Sequence, residues 1–335
     1  MKAKWVIGLD VGATHMSGAL ISSEGEVRSP REVPTRERSE NVKDRIMGLA
    51  AGFVDAAKEE NIKPAGISAG VPGIVDADKG VLVAAGNLPE LFGVPLGPEL
   101  EEAFELPAVV ENDVNAQTLG ELLFGVARDV KDFVLFSIGT DLGGGIVING
   151  RLHRGARHIA AEFGHMTLDL FGGPCVCGGQ GCARQWVSGE GLAEKAREVL
   201  SDESEAVKSV RQKRDKLSAR HVFQAADKKD PESEKLIEEF ARRFGAVVAN
   251  VMKVLDPEMV VMAGEVCRAE PRLISDIVKW VRHYYFPIPQ LPDFRVSELT
   301  KETAVLGPAA VFFLDREIAA GPVRHHAHKP KKEAP

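Results

Sequence analysis

Apolar residues fall into short unbroken runs that repeat once along the chain. Trp5-Val6-Ile7-Gly8-Leu9 leads into Asp10 and Gly12, the pattern of a strand meeting a turn. Residues 17–22 and 26–33 read as the next two strands, joined by Ser23-Glu24-Gly25. The period then changes. Val42, Ile46, Leu49, Phe53, Ala56 and Ala57 recur at helical spacing over 41–61. Strands are predicted over 65–70, broken by Pro72-Gly73, and over 106–111, which meets a helix over 114–124. This order predicts an α/β lobe. A second series opens at Phe133-Val134-Leu135-Phe136-Ser137-Ile138-Gly139, followed by a strand over 145–149, and the echo hints at a duplicated fold. Residues 201–230 are heavily charged and read as exposed helices and connections. Further on come a helix over 232–255, a buried strand over 258–263 ending at Gly264, a helix over 272–285, a strand over 294–298 and a last helix over 304–314. From Ala320 the His-, Lys- and Pro-rich tail lacks an apolar pattern and predicts disorder, with His325, His326 and His328 solvated rather than metal-bound.

Composition narrows the field. A chain of 335 residues exceeds one ordinary core, so two lobes are expected. Hydrophobic content of 44% and charged content of 27% are those of a globular protein. The net charge of −7 opposes a nucleic-acid partner. No run approaches the ~20 apolar residues of a spanning helix. The first apolar stretch is too short for a secretion signal, so a cytoplasmic protein with no membrane partner is expected. Clustered thiols then read as a metal site rather than disulfides. Cys267 stands apart and reads as a small buried hydrophobe.

Cys175-x-Cys177-x4-Cys182, with His165 upstream, is a tetrahedral ligand set for zinc. Gly172, Gly173, Gly178, Gly179 and Gly181 give its loop freedom to turn. Asp10-Val11-Gly12-Ala13-Thr14 is either an ordinary turn or a phosphate cradle, its carboxylate then needing magnesium. Gly139-Thr140-Asp141-Leu142-Gly143-Gly144-Gly145 reads as a ligand loop in preference to a plain hairpin. Glu111-Asn112-Asp113 ends a strand and opens a helix, where α/β sheets bind ligands, although Asn and Asp are also ordinary helix caps. Asn112 would grip a substrate hydroxyl while Asp113 takes its proton. In Glu162-Phe163-Gly164-His165, metal binding by one ring nitrogen would fix the other to face a sugar, with Glu162 accepting from hydroxyls.

These motifs, in this order over 5–314, together with Asn149-Gly150-x-Leu152-x-Arg154-Gly155-Ala156, resemble the ROK family of repressors, open-reading-frame proteins and sugar kinases. The resemblance implies a two-lobed α/β actin-like ATPase fold, hexokinase-like and ribonuclease H-like, closing on a cleft. It divides the chain into a lobe of 1–118 completed by 304–315, a lobe of 119–303 carrying a zinc loop at 165–184, and a tail at 320–335. The chain opens on the first kinase strand rather than a winged helix–turn–helix, so a glucokinase-like sugar kinase is expected. It would phosphorylate a hexose or N-acetylhexosamine, first of all the glucose 6-OH. By matching positions, Asp10, Gly12 and Thr14 would form one phosphate loop, and Gly139, Thr140, Gly143 and Gly144 the other. Gly264 would lie beside adenosine. Asp113 would be the base, with Asn112, Glu162 and His165 as sugar ligands, while Gly70, Pro72, Gly73 and Asn87 border the sugar. His165, Cys175, Cys177 and Cys182 would hold structural zinc, and magnesium would come with ATP. Sugar, ATP and a second or further copies of the chain, as homodimer or homotetramer, are the expected partners. The alternative is a non-catalytic sugar sensor on the same fold. Five positions depart from the family pattern: His15 for Lys, Asp141 for Gly, Ala263 and Glu265 in Ala263-Gly264-Glu265 for three glycines, and Arg184 for Glu. Arg184 cannot accept a hydrogen bond and would pair with Glu162 or favour an acidic sugar.

Overall fold

The computed structural model describes residues 4–37, 41–84, 86–213, 215–270, 272–300 and 303–320. Strands β1 (Trp5–Val11), β2 (His15–Ser22), β3 (Val27–Pro34) and β4 (Pro64–Val71) are followed by a small hairpin, β5 (Ile74–Asp76) and β6 (Val81–Ala84), and by β7 (Ala108–Asn112). The second half holds β8 (Phe133–Ile138), β9 (Leu142–Ile148), β10 (Arg151–Leu152), β11 (Met259–Ala263) and β12 (Asp293–Val296). The two five-stranded sheets share one order: β3-β2-β1-β4-β7 and β10-β9-β8-β11-β12. In each, an antiparallel hairpin supplies the central strand, and two parallel strands follow it. The echo read from the apolar runs is therefore a repeated topology.

Ten helices cover these sheets among the described residues: α1 (Val42–Glu59), α2 (Leu96–Phe104), α3 (Asp113–Leu123), α4 (Gly189–Val199), α5 (Glu205–Lys213), α6 (Ala219–Asp227), α7 (Pro231–Leu255), α8 (Gly264–Ala269), α9 (Arg272–Tyr284) and α10 (Leu306–Ala320). The periodic α1 presents Ile46, Ala50 and Phe53 to Ile7, Leu9 and Val11 of β1. Each fully buried Ile, Leu, Val or Phe side chain here stabilises the fold by roughly 1.5–3 kcal/mol. Helix α7 starts where Asp230 accepts the Ser233 amide and Pro231 presets the first turn. It ends at Asp256, left-handed at φ 45° and followed by Pro257. Its Phe240 and Phe244 pack with Phe136 of β8. The C-terminal α10 returns to the first sheet, where Phe312 and Phe313 join Val6 and Ile21.

Helix α3 joins the two halves. Val114 and Leu122 pack on the Leu135 and Val261 side of the second sheet, while Ala116 and Leu119 pack on Ala310 and Val311 of α10. Its first residue, Asp113, thus stands at the junction of the sheets. The β5–β6 hairpin, α2, α4, α8 and β10 are absent from the sequence reading. They are short, and α2 and α8 open on Leu96-Gly97-Pro98 and Gly264, residues that read as breaks. The last helix runs on to Ala320, past the 314 expected for it. The predicted disorder of the tail, apart from Ala320 itself, and its three histidines lie outside the described residues.

Candidate active site

Parallel strands bring their carboxyl ends together. Asp10 of β1 lies beside Gly70 of β4, and Gly70 beside Glu111 of β7. This row and Asp113, just beyond it, form the floor of the site. A Cβ on Gly70 would meet Pro308, Ala116 and the Asp113 Cα at 3.2–3.7 Å, so the row is closely backed by α3 and α10.

Asn112 caps α3. Its Oδ1 accepts the Val114 and Asn115 amides, each at 2.9 Å, and its Nδ2 donates to the Gly73 carbonyl at 2.9 Å and to Asp113 Oδ1 at 3.0 Å. Cap and substrate ligand stood as alternatives for this residue. The geometry is that of the cap, and a sugar hydroxyl would compete with Gly73 for the amide. Asp113 Oδ1 also accepts the Val114 amide at 3.0 Å. These bonds use one carboxylate oxygen and leave Oδ2 to receive a proton.

Burial raises the Asp113 carboxyl to about 6, with Glu162 adding to the rise, while the amides and Asn112 oppose it. Burial and then Asp113 raise Asp10 to about 7. Glu162 is raised too, by burial first; His165 opposes and Asp141 reinforces the shift. Three carboxyl groups in one under-neutralised field fit a divalent cation beside Asp10 and Asp113, and hydroxyl donors beside Glu162.

Sequence reasoning missed the support beneath this row. Glu111, 1% exposed, accepts from Arg154 Nε at 2.5 Å, from the Asn112 amide at 2.9 Å and from Asn115 at 3.1 Å. Arg154 also reaches Asp315 of α10 at 3.5 Å. The Arg154 motif was legible; its partner, 43 residues away, was not.

Both hairpin turns expose a threonine. In the first, the Gly12 amide donates to the His15 carbonyl at 2.9 Å, Thr35 Oγ1 donates to the Gly12 carbonyl at 2.6 Å, and Thr14 is exposed with its hydroxyl 3.2 Å from His15 Nδ1. In the second, β8 and β9 pair at Ile138 and Leu142, leaving 139–141 as the turn, with Thr140 exposed as well. The glycine-rich stretch is thus a hairpin, the alternative set aside in the sequence reading. Gly143, Gly144 and Gly145 lie within β9, where a Cβ would fall 2.7 Å from Val114, 2.2 Å from Phe163 and 1.9 Å from Thr118 respectively. Their small size admits Val114 and Thr118 of α3, and Phe163. A Cβ at Gly139, by contrast, meets nothing within 4 Å. Gly264 has φ +88°, and a Cβ there would strike Ile138 at 2.2 Å, so it closes the end of β11 onto the base of the same turn.

His165 stands at the end of the 3-10 turn Phe163–His165, anchored by buried Phe163 against Phe136. The ligand atoms of His165, Cys175, Cys177 and Cys182 all lie within 4.8 Å of one another. The His165 Nδ1–Cys175 Sγ and Cys177 Sγ–Cys182 Sγ separations are 3.7 and 3.6 Å. Edges of about 3.5–3.8 Å are those of a tetrahedron with zinc's bond lengths. Burial, then Cys175 and Cys177, push the Cys182 thiol up to about 12, the strain a bound cation relieves. With Nδ1 on the cluster, Nε2 is the nitrogen left for a substrate. Arg184 does not take Glu162. Its Nε donates to Asp141 Oδ1 at 2.6 Å, so two of the five departing positions pair with each other. Asn87 is exposed after β6, its carbonyl accepting from Arg36 at 3.3 Å, and no hydrogen bond ties it to the Asp113 row.

Among the described residues, no helix is long and apolar enough to cross a membrane. The ROK family model matches residues 6–314. A glucokinase of Halalkalibacterium halodurans is 32% identical over 92% of this chain and 94% of its own. A xylose repressor of Bacillus spizizenii is 26% identical over 94% of this chain and 79% of its own. A solved ROK family glucokinase from Streptomyces griseus, in complex with glucose and AMPPNP, superposes with a TM-score of 0.77 at 29% identity, covering 92% of this chain and 98% of that one. The chain belongs to the ROK family, on its actin-like ATPase fold.

Proposed function

We propose that the protein is an ATP- and magnesium-dependent sugar kinase that phosphorylates a hexose or N-acetylhexosamine, first of all glucose at its 6-OH. The observation that carries the reading is Asp113: one oxygen fixed by Asn112 and the α3 amide, the other free, and a carboxyl raised to about 6. Such a group is ionised at neutral pH yet basic enough to take a hydroxyl proton. The Halalkalibacterium relative's name and the Streptomyces complex support the choice of sugar and nucleotide. The lobes would divide at about residue 118, with α10 completing the first.

Asp113 Oδ2 accepts the proton of the attacking hydroxyl as the oxygen approaches the γ-phosphorus. Asn112 holds the carboxylate in register. Glu162 and His165 Nε2 orient the sugar's other hydroxyls. The open Gly139 turn and the Gly12–Thr14 turn cradle phosphate oxygens through backbone amides and the hydroxyls of Thr14 and Thr140. Phosphoryl transfer passes through a loose transition state, so positioning and charge neutralisation carry most of the rate. Asp10 would hold the magnesium, which would supply charge neutralisation at the phosphates. His165 and the three cysteines would hold zinc, which fixes the imidazole.

The experiment is a coupled ADP-release screen over glucose, mannose, fructose, allose, N-acetylglucosamine and N-acetylmannosamine. Sugar-dependent ADP is expected with at least one; silence across the panel overturns the reading. A second reading, a sugar-binding regulator without catalysis, draws support from the Asp141 carboxylate in the phosphate turn and from the Bacillus relative. Calorimetry that finds sugar binding without ATP binding favours it.

A further inference from the structure

The turn 139–141 carries a carboxylate where the proposed reaction places phosphate. Asp141 is 45% exposed at its side chain, and unpaired it would repel a nucleotide. Its Oδ1 instead accepts both the Leu142 amide at 2.8 Å and Arg184 Nε at 2.6 Å. Arg184 lies in the 3-10 turn Ala183–Gln185, two residues after the thiol ligand Cys182, and its guanidinium also neighbours Cys175. The segment is held at both ends. Upstream, Ala183, fully buried, donates its amide to the Met166 carbonyl at 2.8 Å, next to His165. Downstream, the Ser188 hydroxyl donates to the Arg184 carbonyl at 2.7 Å and accepts the Gly191 amide at 2.9 Å. From there the Gly189 and Glu190 amides donate to the Gly139 and Thr140 carbonyls at 2.8 and 3.1 Å. One continuous set of bonds therefore runs from the thiol cluster, through Arg184, to the turn.

We propose that Arg184 is a positioning residue for the nucleotide: it neutralises Asp141, fixes the turn 139–141 to receive phosphate, and makes nucleotide affinity depend on metal in the His165–cysteine cluster. The inference rests on the kinase reading. A half-exposed ion pair of this kind contributes little to stability. The proposed role therefore leaves the melting temperature nearly unchanged and weakens affinity, whereas a purely structural role would shift the melting temperature and leave affinity alone.

The test is calorimetry with magnesium and a non-hydrolysable ATP analogue on the metal-loaded protein. Arg184→Ala is expected to weaken binding about tenfold or more, since it leaves Asp141 unbalanced. Arg184→Lys, which keeps charge without the planar fork, should weaken it less. Adding Asp141→Gly to Arg184→Ala should tighten binding at least about fivefold over Arg184→Ala alone, because the repulsion goes with the carboxylate. Stripping the metal should weaken the wild type markedly and Arg184→Ala little further. A double variant as weak as Arg184→Ala, beside a wild type that binds, overturns the inference and spares the kinase reading. A wild type that binds no analogue overturns both.

Discussion

Asp10 and Asp113 share one field, and among the described residues no basic side chain is ion-paired with either. Both titrate above their ordinary 3.8, so the folded state holds their protons more tightly than the unfolded chain does. Their contribution to stability is then fully present below about pH 4 and is lost as pH rises through 6 and 7. Asp113→Asn should raise the melting temperature at pH 8, with the gain shrinking toward pH 5; a variant destabilised equally at both pH values contradicts this. Activity runs the other way, because the base must be ionised. We expect kcat/KM to climb between pH 5 and 7 with an apparent midpoint near 6, the pair titrating jointly. A profile flat down to pH 4.5 would remove Asp113 from the role. The motif Glu111-Asn112-Asp113 was legible because it ends a strand and begins a helix. The partners Arg154 and Asp141 of Glu111 and Arg184 were not. Each bond spans 43 residues, and no local spacing encodes it.

At the scale of elements, the strand β9 gives Gly143, Gly144 and Gly145 a packing role that the motif alone does not reveal. Glycine marks close approach, but the sequence does not tell a ligand from a neighbouring helix. Gly145→Ala places a methyl 1.9 Å from Thr118 Oγ1 and should cost about 1–3 kcal/mol, read from denaturant unfolding. Gly139→Ala adds its methyl in open space and should leave stability within about 0.5 kcal/mol while weakening nucleotide binding. Equal stability losses in the two variants would refute the distinction. The gathering of the thiol loop with His165 was legible because all of the four residues but His165 lie within eight residues. Chelation should release one zinc per chain and weaken sugar binding before the chain unfolds, as His165 Nε2 loses its fixed direction. A zinc-free protein with unchanged sugar affinity would sink that role.

Over the whole molecule, two sheets of one strand order face a common helix, α3, and the C-terminal helix returns to the first sheet. The repeat was legible in the paired apolar runs, which have the same strand–turn–strand form. The return of α10 was expected only through the family resemblance, because its apolar pattern carries no address for its partner. This arrangement puts the ends of β1, β4 and β7 beside one base, Asp113, and the proposed reaction depends on that base. The most direct measurement is sugar-dependent ADP release by wild type and Asp113→Asn at pH 7.5 on the best sugar of the panel. The predicted result is turnover by the wild type and a loss of at least about 100-fold in kcat for Asp113→Asn, with zinc still bound and the fold intact. Undiminished turnover by Asp113→Asn, or none by the wild type, would contradict it.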